Sequence, residues 1–211
     1  MDLGFSKATI FSKFVRNDRF FDDYKDDLRF SEDSLNGKRI IFVGGGRSKI
    51  KLSMDNRGIK PKSVLNIDPY LCDGTIDDDD KIFKFVKEDF TKTNYINACD
   101  KLLAEWSLPA YCETLEQLFA FWQKGVTATA AGGDMHVYPC HIRMRVTPNG
   151  VEGENEINDE FWGANKEILA KLCKAFPRVS VNGNFTKIVS LPADEIAKAE
   201  INDYCAREMR L

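Results

Sequence analysis

The sequence predicts an α/β fold: a three-layer αβα sandwich with a mostly parallel seven-stranded sheet, a C-terminal antiparallel hairpin and an N-terminal helical extension. Three observations predict it. Short, continuous apolar runs recur along the chain, the pattern of parallel strands buried on both faces. Amphipathic helical stretches alternate with them, which is the order of a parallel sheet covered by helices. Near the C-terminus two strand-like runs flank Asn182-Gly183, a dipeptide suited to a tight hairpin turn.

Composition bounds the function before any motif is read. With 211 residues, 43% hydrophobic and 11% aromatic, the chain is long enough for one sizeable core and too apolar for global disorder. Lys+Arg 30 against Asp+Glu 33 leaves a net charge of −3, which argues against a nucleic-acid binder. No apolar run approaches the roughly 20 residues of a membrane span, and the N-terminus is interrupted by charge, so a soluble cytoplasmic protein is expected. Six cysteines (Cys72, Cys99, Cys112, Cys140, Cys173, Cys205) are spread without a close pair, as small buried thiols in a reducing compartment would be. His136 and His141 with Cys140 make a poor zinc set, and no metal site is expected.

The elements follow in order. Residues 5–30 carry Phe11, Phe14, Phe20, Phe21, Tyr24 and Leu28 at helical spacings among many charges, predicting one or two amphipathic helices whose aromatic stripe covers the open end of a pocket. Residues 39–43 form the first strand and run straight into Gly44-Gly45-Gly46. After a short polar stretch, residues 63–67 form the second, ending at Asp68-Pro69. Residues 81–87 form the third, ending at Glu88-Asp89, and the Asp77 to Asp80 run before it reads as a solvated turn. Residues 101–106 form the fourth strand, followed by Ser107-Leu108-Pro109-Ala110-Tyr111.

A helix then begins where Thr114 and Gln117 have capping-box spacing, with Leu115, Leu118, Phe119 and Trp122 on one face. A Gly132-Gly133 turn is expected before a fifth strand at residues 135–139. Strict alternation puts His141, Arg143 and Arg145 on one side of an extended segment, a cationic row that an anionic substrate would meet. Phe161, Ile168, Leu169, Leu172, Cys173 and Phe176 mark a further helix. Residues 178–191 form the hairpin, and a last helix runs from about Pro192 to Met209. The divisions are an N-terminal extension over 1–36, a Rossmann-like domain over 37–191 and a C-terminal helix over 192–211.

In doubly wound sheets a ligand lies beyond the carboxyl ends of the strands, at the switch point. Glycines after the first strand let the backbone approach it. An acidic residue ending the second strand accepts hydrogen bonds from ribose hydroxyls. Asp68 stands 22 residues after Gly46, near the roughly 20 that such sites require. Asp89 and Phe90, ending the third strand, are placed to meet an adenine.

On these residues the sequence resembles the class I S-adenosylmethionine-dependent methyltransferases over roughly residues 37–191. IIFVGGGRS resembles the family's glycine motif, VLNIDPY its acidic second-strand motif, EDF its adenine-side motif, and EWSLPAY the fourth-strand motif that faces the methyl group. AAGGDMHVYP resembles the glycine turn and fifth strand, and the closing hairpin matches the family's sixth and seventh strands. The resemblance implies S-adenosylmethionine as cofactor, with Gly44, Gly45, Gly46, Asp68, Pro69, Asp89, Phe90, Trp106 and Ser107 around it.

Tyr111, Glu113 and His141 are the candidate base or orienting groups. A small molecule or a protein side chain is the expected methyl acceptor. The glycine motif is degenerate: Phe42 stands where the family has an acidic residue, and Ser48 replaces its last glycine. Two other readings follow from that pattern. One is a catalytically inactive methyltransferase-like ligand-binding or interaction protein, favoured by Phe42. The other is an NAD-dependent oxidoreductase, disfavoured because its third fingerprint glycine is missing.

Overall fold

The computed structural model describes residues 21–46, 50–70, 81–140, 143–147, 150–154, 159–175, 179–182, 185–188 and 195–210. Strand β1 (Arg39–Val43) pairs in parallel with β2 (Ser63–Ile67) on one side and β4 (Cys99–Glu105) on the other. Parallel pairings with β3 (Phe83–Val86) and β5 (Thr129–Tyr138) extend the sheet outward from β2 and β4. Two further strands, β8 (Val179–Asn182) and β9 (Phe185–Ile188), pair antiparallel, and β9 lies antiparallel against β5. The sheet order is β3-β2-β1-β4-β5-β9-β8. A parallel sheet flanked by helices is thus what the sequence predicts and what the chain adopts. Chain order reverses between β1 and β4, so a switch point opens beside the end of β1.

Alternation along β1 explains the two cores. Ile41 and Val43 belong to one buried cluster, Ile40 and Phe42 to the other, because successive side chains leave opposite faces of the sheet. On the first face lie α3 (Leu115–Ala128), α4 (Asp159–Ala175) and α5 (Glu195–Glu208), centred on buried Trp122, Phe121, Leu118 and Leu172. Trp122 Nε1 donates to Asn165 Oδ1 at 3.0 Å, and Asn165 Nδ2 donates to the Cys140 carbonyl at 2.6 Å. That relay ties α3 and α4 to the exit of β5.

The second face is covered by α1 (Phe21–Leu28) and α2 (Ile50–Asn56). The eight described residues of α1 gain too little from propensity to persist alone, so packing must hold them. The helix buries Phe21, Tyr24 and Leu28, worth about 1.5–3 kcal/mol for each large apolar side chain. Arg29 at φ 51 ends it in the left-handed region. Residues from 21 onward are therefore core, not a detachable cover, which corrects the expected role of that part of the segment; residues 5–20 lie outside the described residues.

On this face a polar pair, Lys101 and Asp134, stands toward the amino ends of the strands, with His136 two residues further along β5. Lys101 Nζ reaches both oxygens of Asp134, at 2.8 and 2.6 Å. His136 Nε2 lies 3.2 Å from Asp134 Oδ2, and its Nδ1 lies 2.7 Å from the Leu28 carbonyl, which anchors the end of α1.

Four local expectations change. The polar stretch expected before β2 contains helix α2, whose IKLSMDN carries no clean apolar stripe. Gly132 and Gly133 make no turn before β5; they lie inside it, where the register with β4 shifts between Cys99 and Lys101. A Cβ on Gly133 would meet the Ala130 and Asp100 carbonyl oxygens at 2.8 Å, so glycine lets the strand bulge there. The segment after residue 142 forms a separate hairpin of β6 (Arg143–Thr147) and β7 (Gly150–Glu154). Its register sets Arg143 opposite Glu154 and Arg145 opposite Glu152, so two positions of the expected cationic row stand opposite acidic residues; His141, the third, lies outside the described residues. The Asp77 to Asp80 turn lies outside the described residues.

Candidate functional site

The carboxyl ends of β1, β2 and β4 converge on one three-residue turn, Gly44 to Gly46. Gly44 and Gly46 adopt φ values of 70 and 53, a region that favours glycine. Gly44 also lies against the Ser107 side chain so closely that a Cβ would collide with it. At Gly45 a Cβ would meet Asn66 Oδ1 at 2.5 Å. Part of the turn's glycine content is thus dictated by its own protein neighbours.

Those neighbours grip the turn through hydrogen bonds. Ser107 Oγ donates to the Val43 carbonyl at 2.6 Å, and Asn66 Nδ2 donates to the Gly46 carbonyl at 3.0 Å. Asp68 Oδ2 accepts from the Gly46 amide at 2.8 Å, while its Oδ1 accepts from the Tyr70 amide at 2.7 Å. From α1, the Tyr24 hydroxyl makes a longer contact, 3.5 Å, with the Gly45 carbonyl. Phe42 offers the turn no polar group; its ring packs edge-on against Tyr24 at 5.7 Å between centroids.

Asp68 is 8% exposed. Burial pushes its carboxyl above the usual aspartate range, against the opposing pull of the Tyr70 and Gly46 amides. Pro69 beside it is exposed and Tyr70 is half-buried. The Tyr70 phenol is raised first by burial and then by the charges of Asp89 and Asp68, which places it between the ends of β2 and β3. Asp89 caps the short 3₁₀ turn Phe90–Lys92, with Oδ1 accepting from the Thr91 amide at 3.0 Å and the Thr91 hydroxyl at 2.7 Å. Phe90 is not on the open side: it is 2% exposed and packs on Phe121, 6.2 Å between centroids. Its expected contact with an adenine is corrected accordingly, since the core has already claimed the ring.

Beyond β4, Glu105 is buried, Trp106 half-buried with φ 46, and Ser107 buried. Trp106 donates its amide to the Tyr138 carbonyl at 2.7 Å and sets its ring edge-on to that of Tyr138 at 5.7 Å. The Tyr138 phenol is raised by burial, then by the charges of Asp27 and Glu105. Tyr111 is half-buried and donates its amide to the Ser107 carbonyl at 3.0 Å, folding the loop back on itself. Glu113 is exposed; its amide donates to Gln117 Oε1 at 2.7 Å just ahead of the α3 cap, where Thr114 Oγ1 accepts from the Gln117 amide at 3.3 Å. His141 lies outside the described residues.

The structure therefore brings together Gly44, Gly45, Gly46, Asp68 and Ser107 as one connected set, with Pro69 and Asp89 on the β2–β3 side and Trp106 and Tyr111 on the β4 side. Sequence reasoning missed Asn66 and Tyr70. Asn66 had a signal: it is a carboxamide set between Leu65 and Ile67 in a strand that is otherwise apolar after Ser63, and it shares a face with Asp68 two places on. Among the described residues no group of three or more His, Cys, Asp or Glu stands close enough to hold a metal ion. Nor is any helix among them long and apolar enough to cross a membrane.

No family model and no curated protein matches the sequence. Solved structures are similar in shape. An S-adenosylmethionine-dependent methyltransferase from Mesorhizobium loti is 14% identical with a TM-score of 0.40, over 84% of this chain and 78% of that one. A possible exported protein from Bordetella parapertussis is 12% identical with a TM-score of 0.49, over 82% and 68%. Phosphoethanolamine N-methyltransferase 2 of Haemonchus contortus, solved with S-adenosyl-L-methionine, is 11% identical with a TM-score of 0.47, over 97% and 42%. In its own strand order, five parallel strands arranged β3-β2-β1-β4-β5 with antiparallel β9 between β5 and β8, the chain has the Rossmann-like fold of the class I S-adenosylmethionine-dependent methyltransferases.

Proposed function

We propose that this protein binds S-adenosylmethionine at the carboxyl ends of β1, β2 and β4 and transfers its methyl group to a small molecule or a protein side chain. One observation carries the proposal: Asp68 is a buried carboxylate beside a glycine turn at the sheet's switch point, held among the described residues by two amides. An ionised carboxylate has about four acceptor positions, so Asp68 keeps room for two ribose hydroxyls. The surrounding residues fit such a ligand, with Pro69, Tyr70 and Asp89 on its base side and Trp106 on its sulfonium side.

When bound, S-adenosylmethionine supplies a methyl group activated by its sulfonium. The chain's own part is to orient and shield. Asp68 holds the ribose, the half-buried Trp106 ring walls the cation, an interaction of about 0.5–2 kcal/mol, and the loop carrying Tyr111 and Glu113 positions the acceptor for in-line approach. His141 is retained as a candidate base. Residues 37–191 are assigned to this chemistry, with 1–36 and 192–211 as helical additions.

Parallel calorimetric titrations with S-adenosylhomocysteine, S-adenosylmethionine and NAD test the proposal. Binding of the first two without NAD is expected; binding of NAD alone, or of none, overturns it. A second reading, an inactive adenosyl-ligand binder, is favoured by Phe42, whose packing on Tyr24 replaces a polar group at the turn. Ligand binding without methyl transfer to any acceptor would select it.

A further inference from the structure

The glycine turn is held by more than its own backbone, and the way it is held departs from the functional expectation for Ser107. That residue was expected to face a ligand. Its hydroxyl hydrogen is instead directed to the Val43 carbonyl at 2.6 Å, and its Cβ closes on Gly44. Asn66 does the equivalent from the other side, donating to the Gly46 carbonyl at 3.0 Å while its amide group closes on Gly45. Both are buried, at 7% and 3% exposure. They belong to the two segments that flank β1 in the sheet: β2, and the loop leaving β4.

Peptide planarity makes the arrangement self-consistent. In a trans peptide the carbonyl and the following N–H point in opposite directions. Val43 turns its carbonyl to Ser107, and the Gly44 amide correspondingly points the other way, to the Ile67 carbonyl at 2.8 Å. Gly45 turns its carbonyl to Tyr24, and the Gly46 amide points to Asp68. The Val43–Gly44 and Gly45–Gly46 peptide planes are thus each fixed from both ends.

We infer that Ser107 and Asn66 are positioning residues that set the peptide orientations of the Gly44–Gly46 turn before any ligand arrives. The inference rests on the proposal that this turn binds an adenosyl ligand. Its energetic logic is preorganisation: a turn of three glycines has more conformational freedom than any other tripeptide, and freezing it in advance removes that cost from binding. Ser107 also opens the loop that carries Tyr111, so one hydroxyl connects the acceptor side of the site with the cofactor side. No side chain from Phe42 is needed to order the turn.

The test uses the full chain. Hydrogen exchange of the ligand-free parent comes first: the Gly46 amide, although in a loop, should be protected, and a fully unprotected Gly46 overturns the inference without any variant. Ser107→Ala and the volume-conserving Asn66→Leu should then each lower that protection about tenfold, the share of one hydrogen bond, while the Leu102 amide in mid-β4 keeps its protection. Titration with S-adenosylhomocysteine should weaken by a similar factor in each folded variant. Parent-like affinity and parent-like Gly46 protection in both variants would show that the side chains only pack. If the parent binds neither S-adenosylhomocysteine nor S-adenosylmethionine, yet Gly46 protection falls as expected, the positioning stands and the ligand assignment fails. The two failures are therefore distinguishable.

Discussion

The two ends of the same strands are built in opposite ways. At the amino ends, each charged group shown there meets a partner. Arg39 forks onto Asp100, with Nη2 at 2.7 Å from Oδ1 and its own amide at 2.8 Å from Oδ2, while Nη1 reaches the Asn97 carbonyl at 2.9 Å. Lys101 grips Asp134, and buried Lys198 reaches Asn97 Oδ1 at 2.9 Å and the Thr129 carbonyl at 2.8 Å. At the carboxyl ends, among the described residues, buried Asp68 accepts from two amides and no cation, and Asn66 Oδ1 lacks a partner. Compensated charge stabilises the first end. Incompletely satisfied acceptors at the second are what a binding site needs, and they are costly until a ligand arrives.

The sharpest way to break this comparison is to remove Asp134. Asp134→Ala leaves Lys101 and His136 without their shared anion, and the loss should be about 3–5 kcal/mol of folding free energy in urea unfolding. Affinity of the folded fraction for S-adenosylhomocysteine should stay unchanged; a loss of affinity without a loss of stability would reverse the roles of the two ends. Next comes Asp68→Ala, expected to weaken S-adenosylhomocysteine by roughly 1.5–3 kcal/mol, about tenfold to a hundredfold. Parent-like binding would remove Asp68 from the site. Smaller still is Thr114→Ala, which deletes the α3 cap and should cost about 1 kcal/mol of stability, read by thermal unfolding with binding intact.

The subtlest contrast is in pH dependence. Asp134 is pushed up by burial but pulled below the ordinary 3.8 by His136 and Lys101, and Arg39 pulls Asp100 the same way. For a lowered carboxylate, the stabilising contribution is present above 3.8 and disappears as pH falls through the native value. Asp68 is raised above 3.8 by burial, so its contribution is present below that value and is lost as pH rises through the native one. Unfolding free energies followed against pH should give parent-minus-variant profiles of opposite slope for Asp134→Ala and Asp68→Ala. Slopes of the same sign would contradict the opposed construction of the two ends.

Much of this was readable in advance, for identifiable reasons. β1 and β2 have the predicted bounds because their runs are apolar on both faces and end abruptly at glycine or aspartate. The α3 start was legible because Thr114 and Gln117 act within four residues of each other. What was not legible depends on distant partners. Phe90 looks like any strand-end aromatic until α3 brings Phe121 over it. Gly132 and Gly133 look like a turn until β4 demands a bulge. Asp68 was found by spacing, but its grip on the Gly46 amide appears only when β1 and β2 lie side by side. Helix α2 has too little periodicity to be seen without the sheet it covers.

The docking of α1 has a consequence for the order in which the molecule is made. This helix is made before the strands it packs on, β4, β5 and β9, and its last carbonyl contacts His136, 108 residues later. While the ribosome is still short of β5, its apolar stripe of Phe21, Tyr24 and Leu28 has only part of its floor, such as Phe42 on β1. Closure of that face must therefore wait for the distal strands, a long-range step of the kind that slows folding and leaves sticky surface exposed meanwhile. Because Tyr24 also contacts the glycine turn, the nascent protein completes the docking of α1 and the support of its candidate binding turn together, once β5 and β9 have been made.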